Sequence, residues 1–208
     1  MSEDDDYGLS PDKETKPIPP PLVDYLPEKP ESYNPKIGLI GTGGISEVHL
    51  KNYKTCGFDV AALASRTRSK AEEKRDEFYP DAVVYDDYHE LLAQEDIEVV
   101  DVTPHPEDRL PILLDALEAG KHVLSQKPFV LDIDEGDRLV SLAEEKGLKF
   151  AVNQNGRWAP HFSYLRNAVA EGVVGRVTSL DFNLQWDQTW IKGTSEFESI
   201  HHLILFDF

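Results

Sequence analysis

Residues 36–50 read Lys36-Ile37-Gly38-Leu39-Ile40-Gly41-Thr42-Gly43-Gly44-Ile45-Ser46-Glu47-Val48-His49-Leu50. The apolar run Ile37–Ile40 meets a glycine turn, Gly41–Gly44, and a helix-forming run opens at Ile45. In the order strand, tight turn, helix, backbone N–H groups are left free at a helix N-terminus, where the dipole favours an anion such as a pyrophosphate. Gly41 permits the tight turn, Gly43 permits close approach of phosphate, and the third fingerprint position holds Ser46, small but not glycine. Taken alone, such a loop is equally a plain turn, so its neighbours decide its meaning.

Downstream of the loop, strand and helix patterns alternate. Strands are expected at Phe58–Ala64, Ala82–Tyr85, Ile97–Val102, His122–Leu124 and Leu148–Val152. Helices are expected at about Ile45–Thr55, after a capping box Ser69-Lys70-Ala71-Glu72, after an Asp87 cap, from about Asp108 to Ala119 and over Asp132–Lys146. Pro111 is expected in the first turn of its helix, and Gly120 and Gly147 as stops. Short links between alternating elements imply an α/β fold with a parallel sheet covered on both faces. Such sheets bind ligands beyond the carboxyl ends of their strands, which turns the glycine loop into a dinucleotide-binding expectation. No GxxxxGK[ST] sequence follows it, which argues against an NTPase P-loop.

The chain has 208 residues, 40% hydrophobic and 29% charged, within the range of a globular protein. Its net charge of −18 argues against nucleic acid or an anionic membrane as a partner. No run approaches the roughly 18 apolar residues of a membrane span. The acidic start, MSEDDD, is unlike a secretion signal, so the expected compartment is the cytoplasm. The single Cys56 excludes an intramolecular disulfide and a multi-cysteine zinc site, and no metal site is expected.

Residues 1–35 are acidic and proline-rich and read as a disordered or extended arm, whose Leu22, Val23, Tyr25 and Leu26 could dock on the body or a neighbouring subunit. Residues 36–153 read as the Rossmann dinucleotide-binding domain. Residues 154–208 read as the start of a second α/β domain: a helix over Pro160–Glu171, a strand over Arg176–Trp186, a polar loop and an apolar run, Ile200–Phe208. One helix and one strand cannot bury a sheet face, so this domain is expected to be incomplete.

An Asp or Glu about 20 residues past the glycines would bind the adenosine ribose. This chain has Ala64-Ser65-Arg66-Thr67-Arg68 there instead. Arg66 and Arg68, with Ser65 as a hydrogen-bond partner, suit a 2′-phosphate, which favours NADP(H) over NAD(H). Two surface arginines in a turn would give the same sequence. Thr103-Pro104-His105 follows the strand Ile97–Val102 and is either a proline-stiffened turn or a cofactor contact. Gln126-Lys127-Pro128 follows the next strand. A lysine there is either a solvated charge or a group that hydrogen-bonds a substrate hydroxyl, stabilises oxyanion charge or relays a proton.

Gly41-Thr42-Gly43-Gly44-Ile45, Thr103-Pro104, Ala119-Gly120-Lys121-His122-Val123 and Gln126-Lys127-Pro128 occur in that order. Over about residues 36–208 the chain thereby resembles the Gfo/Idh/MocA oxidoreductases, which include glucose–fructose oxidoreductase and inositol dehydrogenases. The resemblance implies hydride transfer between NAD(P) and a sugar, polyol or related hydroxyl–carbonyl substrate, and a homo-oligomer built through the second domain's sheet. It places Gly41–Ile45, Ser65, Arg66, Thr103, Pro104, His105, Gln126 and Lys127 on the cofactor, and Lys127 in the catalytic role of the family's Glu-Lys-Pro lysine, with Gln126 where that motif has Glu. Asn153–Trp158 resembles the crossover into the second domain, putting Arg157, Trp158 and His161 toward the substrate. Trp158 reads equally as interdomain packing, and His161 as a helix-start hydrogen-bonder.

The family's general base belongs to a His-x-x-Asp motif, which His201 and His202 do not complete; the chain is expected to end a few residues short of it. A nucleotide-binding sensor or partner protein that kept the fold and lost catalysis is the alternative. An S-adenosylmethionine methyltransferase fits less well, lacking an acidic ribose contact near Ser65.

Overall fold

The computed structural model describes residues 22–26 and 30–183, together with 185, 187, 189 and 193. Backbone contacts divide the chain into two units, Glu28–Asn155 with Leu184–Phe208, and Met1–Pro27 with Gly156–Asn183.

In the first unit, strands β1 (Lys36–Ile40), β2 (Asp59–Ala64), β3 (Val83–Tyr85), β4 (Val99–Val102), β5 (His122–Ser125) and β6 (Phe150–Val152) form a sheet of order β3-β2-β1-β4-β5-β6. Every pairing is parallel. This is the doubly wound dinucleotide-binding order, whose reversal point lies between β1 and β4. Helices α1 (Gly44–Cys56) and α2 (Arg68–Phe78) cover one face, where Leu50, Ala71 and Phe78 pack on Ile37, Leu39, Val60 and Leu63. Helices α3 (Tyr88–Leu92), α4 (Pro106–Glu118) and α5 (Ile133–Glu145) cover the other, where Leu91, Leu113, Leu117 and Leu139 pack on Ile40, Ala62, Val100 and Val102. The α/β fold with a parallel sheet covered on both faces is therefore as the sequence implies.

Local chemistry explains where the elements begin. Asp87 caps α3 as read from the sequence, its carboxylate accepting from the His89 N–H at 2.9 Å. Asp132 caps α5 in the same way. The Ser69 capping box does not form: α2 starts at Arg68, and the Ser65 hydroxyl takes the Thr67 N–H at 3.2 Å. Helix α4 starts earlier than expected, with Pro106 at its first position, where the missing N–H costs nothing, so Pro111 lies inside the helix and not in its first turn.

In the second unit, helix α6 (Pro160–Ala170) is followed by Gly172 at φ 73°. The arm segment meets this helix: Ser163 donates to the Tyr25 carbonyl at 2.6 Å, and Asn167 donates to that of Asp24. The strand expected over Arg176–Trp186 is not seen in the described part, since residues 176–183 pair with no other strand among the described residues. An extended segment without a ladder partner has no hydrogen bonds to make it a strand. Trp186 and Ile200–Phe208, with His201 and His202, lie outside the described residues. No helix among the described residues is long and apolar enough to cross a membrane.

Candidate functional site

Register brings the sequence-predicted groups to one edge of the sheet. Ile40 pairs with both Ala64 and Val102, and Val102 pairs with Ser125. The next residues, Gly41, Ser65, Thr103 and Gln126, therefore leave the sheet level with one another at its carboxyl end.

Gly41 has φ 96°, a left-handed value that side chains rarely tolerate. A Cβ there would lie 2.8 Å from Thr103 Oγ1 and 2.9 Å from Pro104 Cδ. The Thr103 hydroxyl lies 2.9 Å from the Gly41 carbonyl and 3.2 Å from that of Ile40, so the turn after β4 supports the glycine loop from below. Thr42 Oγ1 donates to Ser65 Oγ at 2.8 Å, tying the loop to the end of β2. Ser46 is fully buried and its hydroxyl donates to the Gly43 carbonyl at 2.6 Å; a side chain of this size allows α1 to lie close on the strands.

Above the turn the arrangement opens. A Cβ on Gly43 or Gly44 would meet no atom within 4 Å. Gly43 is the N-cap of α1 and supplies no side-chain cap, and a helix leaves its first amides without intrahelical acceptors. Open space in front of uncapped amides fits the pyrophosphate of a dinucleotide.

Arg66 is exposed and pairs with Asp108 in the first turn of α4, Nη2 to Oδ2 at 2.9 Å. Arg68 is held by Glu72 and Asp86 at 2.9 and 3.4 Å. His105 occupies the N-cap position of α4 without a side-chain cap bond. Gln126 is buried, and its side-chain oxygen accepts the Lys127 N–H at 2.8 Å. The Lys127 side chain is half-buried.

Arg157, Trp158 and His161 belong to the second unit. The guanidinium groups of Arg157 and Arg166 lie 5.5 and 5.2 Å from the Trp158 ring, a cation–π arrangement. His161 lies in the first turn of α6 with its ring 4.2 Å from that of Phe162. Among the described residues, no group of three or more His, Cys, Asp or Glu side chains is placed to hold a metal ion.

Two features escaped the sequence reading. Arg109, in the buried stripe of α4, donates to the Pro104 carbonyl at 3.0 Å, the Pro128 carbonyl at 2.7 Å, the Lys127 carbonyl at 3.3 Å and the carbonyl of Gln126. Behind the glycine loop, Asp101 of β4 is fully buried with His49 Nδ1 at 2.6 Å and the Tyr53 hydroxyl at 2.8 Å, while Asn153 Nδ2 lies 3.0 Å from His49 Nε2. Burial, then the Asp101 charge, pushes the Tyr53 phenol far up, so it remains a donor. The available signals were an Asp within a buried apolar strand and a His–Tyr pair four residues apart on the face of α1 that meets the sheet.

Comparison with known proteins follows the same lines. The chain is 28% identical over 183 residues to an inositol 2-dehydrogenase/D-chiro-inositol 3-dehydrogenase of Lactiplantibacillus plantarum, covering 85% of this chain and 52% of that one. A crystal structure of scyllo-inositol dehydrogenase from Lactobacillus casei with NAD(H) and scyllo-inositol matches with a TM-score of 0.62 at 26% identity, over 69% of this chain and 43% of that one. A 3-ketoreductase from Actinomadura kijaniata, solved with NADP and TDP-benzene, matches with a TM-score of 0.61 at 28% identity, over 68% of this chain and 43% of that one. Among the first curated relatives, the chain spans between 34% and 52% of the relative's length. Residues 35–154, the glycine loop and the whole sheet included, match the Gfo/Idh/MocA profile, described as an oxidoreductase family with an NAD-binding Rossmann fold, and the chain belongs to that family.

Proposed function

We propose that this chain is the nucleotide-binding part of an NAD(P)-dependent oxidoreductase that acts on a sugar, polyol or related hydroxyl–carbonyl substrate, with NADP(H) preferred. In this reading residues 36–153 form the nucleotide domain and 154–208 begin the substrate domain. The observation that carries the proposal is the open cradle at Gly43 and Gly44 in front of α1, level with Ser65, Thr103 and Gln126.

The amides at the start of α1 would hold the pyrophosphate, and Gly43 and Gly44 leave room for its oxygens. Ser65 and Arg66 would face the adenosine ribose. Arg66 binds Asp108 here, and an exposed pair of this kind is worth at most about 1 kcal/mol, so a 2′-phosphate with two charges can displace the carboxylate. No Asp or Glu stands at residues 64–68 to bind a free 2′-hydroxyl, which favours the phosphorylated form. Both NAD(H) and NADP occur in the solved relatives.

Thr103, Pro104 and His105 would line the passage from the pyrophosphate to the nicotinamide, whose bound form supplies the hydride acceptor or donor. Lys127 would hydrogen-bond the reacting oxygen of the substrate and stabilise the negative charge that develops on it. The Gln126 amide, standing where the family's motif has Glu, accepts the Lys127 backbone N–H. Arg157, Trp158 and His161 are further candidates for substrate contact, on the family resemblance of the Asn153–Trp158 stretch.

Fluorescence titration with NADPH and NADH tests the reading. Saturable NADPH binding, weakened about tenfold by Arg66→Ala with NADH binding unchanged, is the expected result. Absence of binding for both nucleotides would sink the cofactor assignment, and a clear NADH preference would remove the role given to Arg66. A form extended to the length of the relatives that binds nucleotide yet oxidises no polyol or sugar would point instead to a sensor of the same fold.

A further inference from the structure

The buried stripe of α4 is Arg109, Ile112, Leu113, Ala116 and Leu117. Four of these five are apolar, and the first is a charge that is only 2% exposed. An aliphatic residue would fill that helical position without desolvating a guanidinium, which is costly unless its donors are satisfied. The guanidinium reaches backbone oxygens on two loops: Pro104 after β4, and Gln126, Lys127 and Pro128 after β5. It also lies 3.4 Å from Ser125 Oγ.

The consequence for Lys127 is geometric. The peptide unit before its Cα has its carbonyl, that of Gln126, on Arg109, and its N–H on the Gln126 side chain. The peptide unit after it has its carbonyl, that of Lys127, on Arg109 as well. When both flanking peptide planes are fixed, φ and ψ of the residue between them are fixed, and so is the direction in which its side chain leaves the backbone. A planar fork of donors can fix several carbonyls at once, whereas a single ammonium reaches fewer of them and in no set plane.

We propose that Arg109 is a positioning residue that aims Lys127 at the nicotinamide end of the bound nucleotide by holding the 126–128 loop against the 103–104 turn. The proposal rests on the oxidoreductase reading of Lys127, and it makes Arg109, from outside the recognised motif, a condition of that motif's geometry.

The test uses the whole 208-residue chain. Acetylation of Lys127 is followed by peptide mass spectrometry with and without saturating NADPH, and backbone amide exchange is followed over 126–130 and over β4. In the unaltered chain, bound NADPH should slow Lys127 acetylation about tenfold or more, and Arg109→Lys should reduce that protection to about twofold while nucleotide affinity changes by less than about threefold, because misaiming of about 1 Å disables a group without removing it. Amide exchange should rise over 126–130 and not in β4. Full Lys127 protection with unchanged exchange in Arg109→Lys would overturn the proposal, as would a rise spread evenly over the sheet. Should Arg109→Lys fail to fold, the side-chain NMR signals of Arg109 in the unaltered chain decide: slow exchange and hindered rotation support the clamp, and a freely rotating guanidinium overturns it. Absence of Lys127 protection by either nucleotide in the unaltered chain is a different result: it removes the role of Lys127, while the exchange data still report whether Arg109 holds the loop.

Discussion

His49 Nδ1 lies 2.6 Å from Oδ2 of Asp101, joining the first helix to the middle of the sheet through a carboxylate with no exposed surface. The same oxygen accepts from Tyr53 at 2.8 Å, and Oδ1 has no hydrogen-bond partner among the described residues. An amide oxygen can take the place of Oδ2 without leaving either donor alone. Asp101→Asn should therefore change stability by less than about 1.5 kcal/mol, whereas Asp101→Leu strands two donors and should cost about 3 kcal/mol or more. Urea denaturation of both variants checks this. Equal losses would show that the charge, and not the acceptor, holds the helix.

Gly41 and Gly43 stand two residues apart and should respond in opposite ways. Gly41→Ala forces a Cβ against Thr103 and Pro104 at a φ of 96°, and should destabilise the chain by about 1–3 kcal/mol. Gly43 has φ −73° in extended conformation and open space around it, so Gly43→Ser supplies the missing cap of α1. That variant should gain a few tenths of a kcal/mol and still lose nucleotide affinity about tenfold, since the new side chain occupies the anion's place. A thermal melt paired with an NADPH titration separates the two effects.

Lys121 is buried at the far end of β5 and donates to the Gln94 and Ile97 carbonyls at 2.6 and 2.8 Å. Burial lowers its pKa, against the opposing pull of Asp96 and Glu95. Lys121→Met should cost about 1–3 kcal/mol, because it leaves two carbonyls without their donor. The loss should appear in chemical denaturation with nucleotide binding unchanged, as this residue lies at the edge opposite the glycine loop.

His89 provides a pH dependence. Its Nδ1 lies 2.6 Å from Asp87 and its Nε2 3.3 Å from Asp115. The hydrogen bond to Asp87 raises its pKa above the ordinary 6.5, with both aspartate charges acting in the same direction and desolvation opposing them. The folded state thus holds the proton longer than the unfolded one. The stabilisation is complete below about pH 6.5 and is lost as pH rises through the raised value. Melting temperatures measured from about pH 6 to pH 8 should fall more steeply for the native sequence than for His89→Gln, which cannot titrate. Parallel curves would remove His89 from the account.

The fold was legible because its determinants are local. Apolar runs such as Ile37–Ile40 alternate with capped amphipathic stretches, and the Asp87 cap lies within two residues of the amide that it satisfies. Errors arose where local signals compete. The Ser69 box lost to a helix that starts two residues earlier, with Thr67 at its N-cap, and the apolar alternation of residues 176–183 carried no information about whether a partner strand is present. The glycine loop and the level strand ends were legible for the same reason as the fold. Arg109, His49 and Asp101 were not, because a polar residue on a buried stripe has meaning only through partners far along the chain. Asp101 lies 52 residues from His49, and Arg109 lies 18 residues from Lys127.

The strands at the margins of the sheet, β3 and β6, have three residues each, whereas β1 and β2 have five and six. Unpaired strand backbone is a template for aggregation, and its reach scales with length. The sheet therefore places its longest hydrogen-bonding ladders where neighbours already occupy both sides. Among the described residues β3 and β6 each pair with one strand, so these margins offer a foreign strand only a short foothold, which limits cross-β growth.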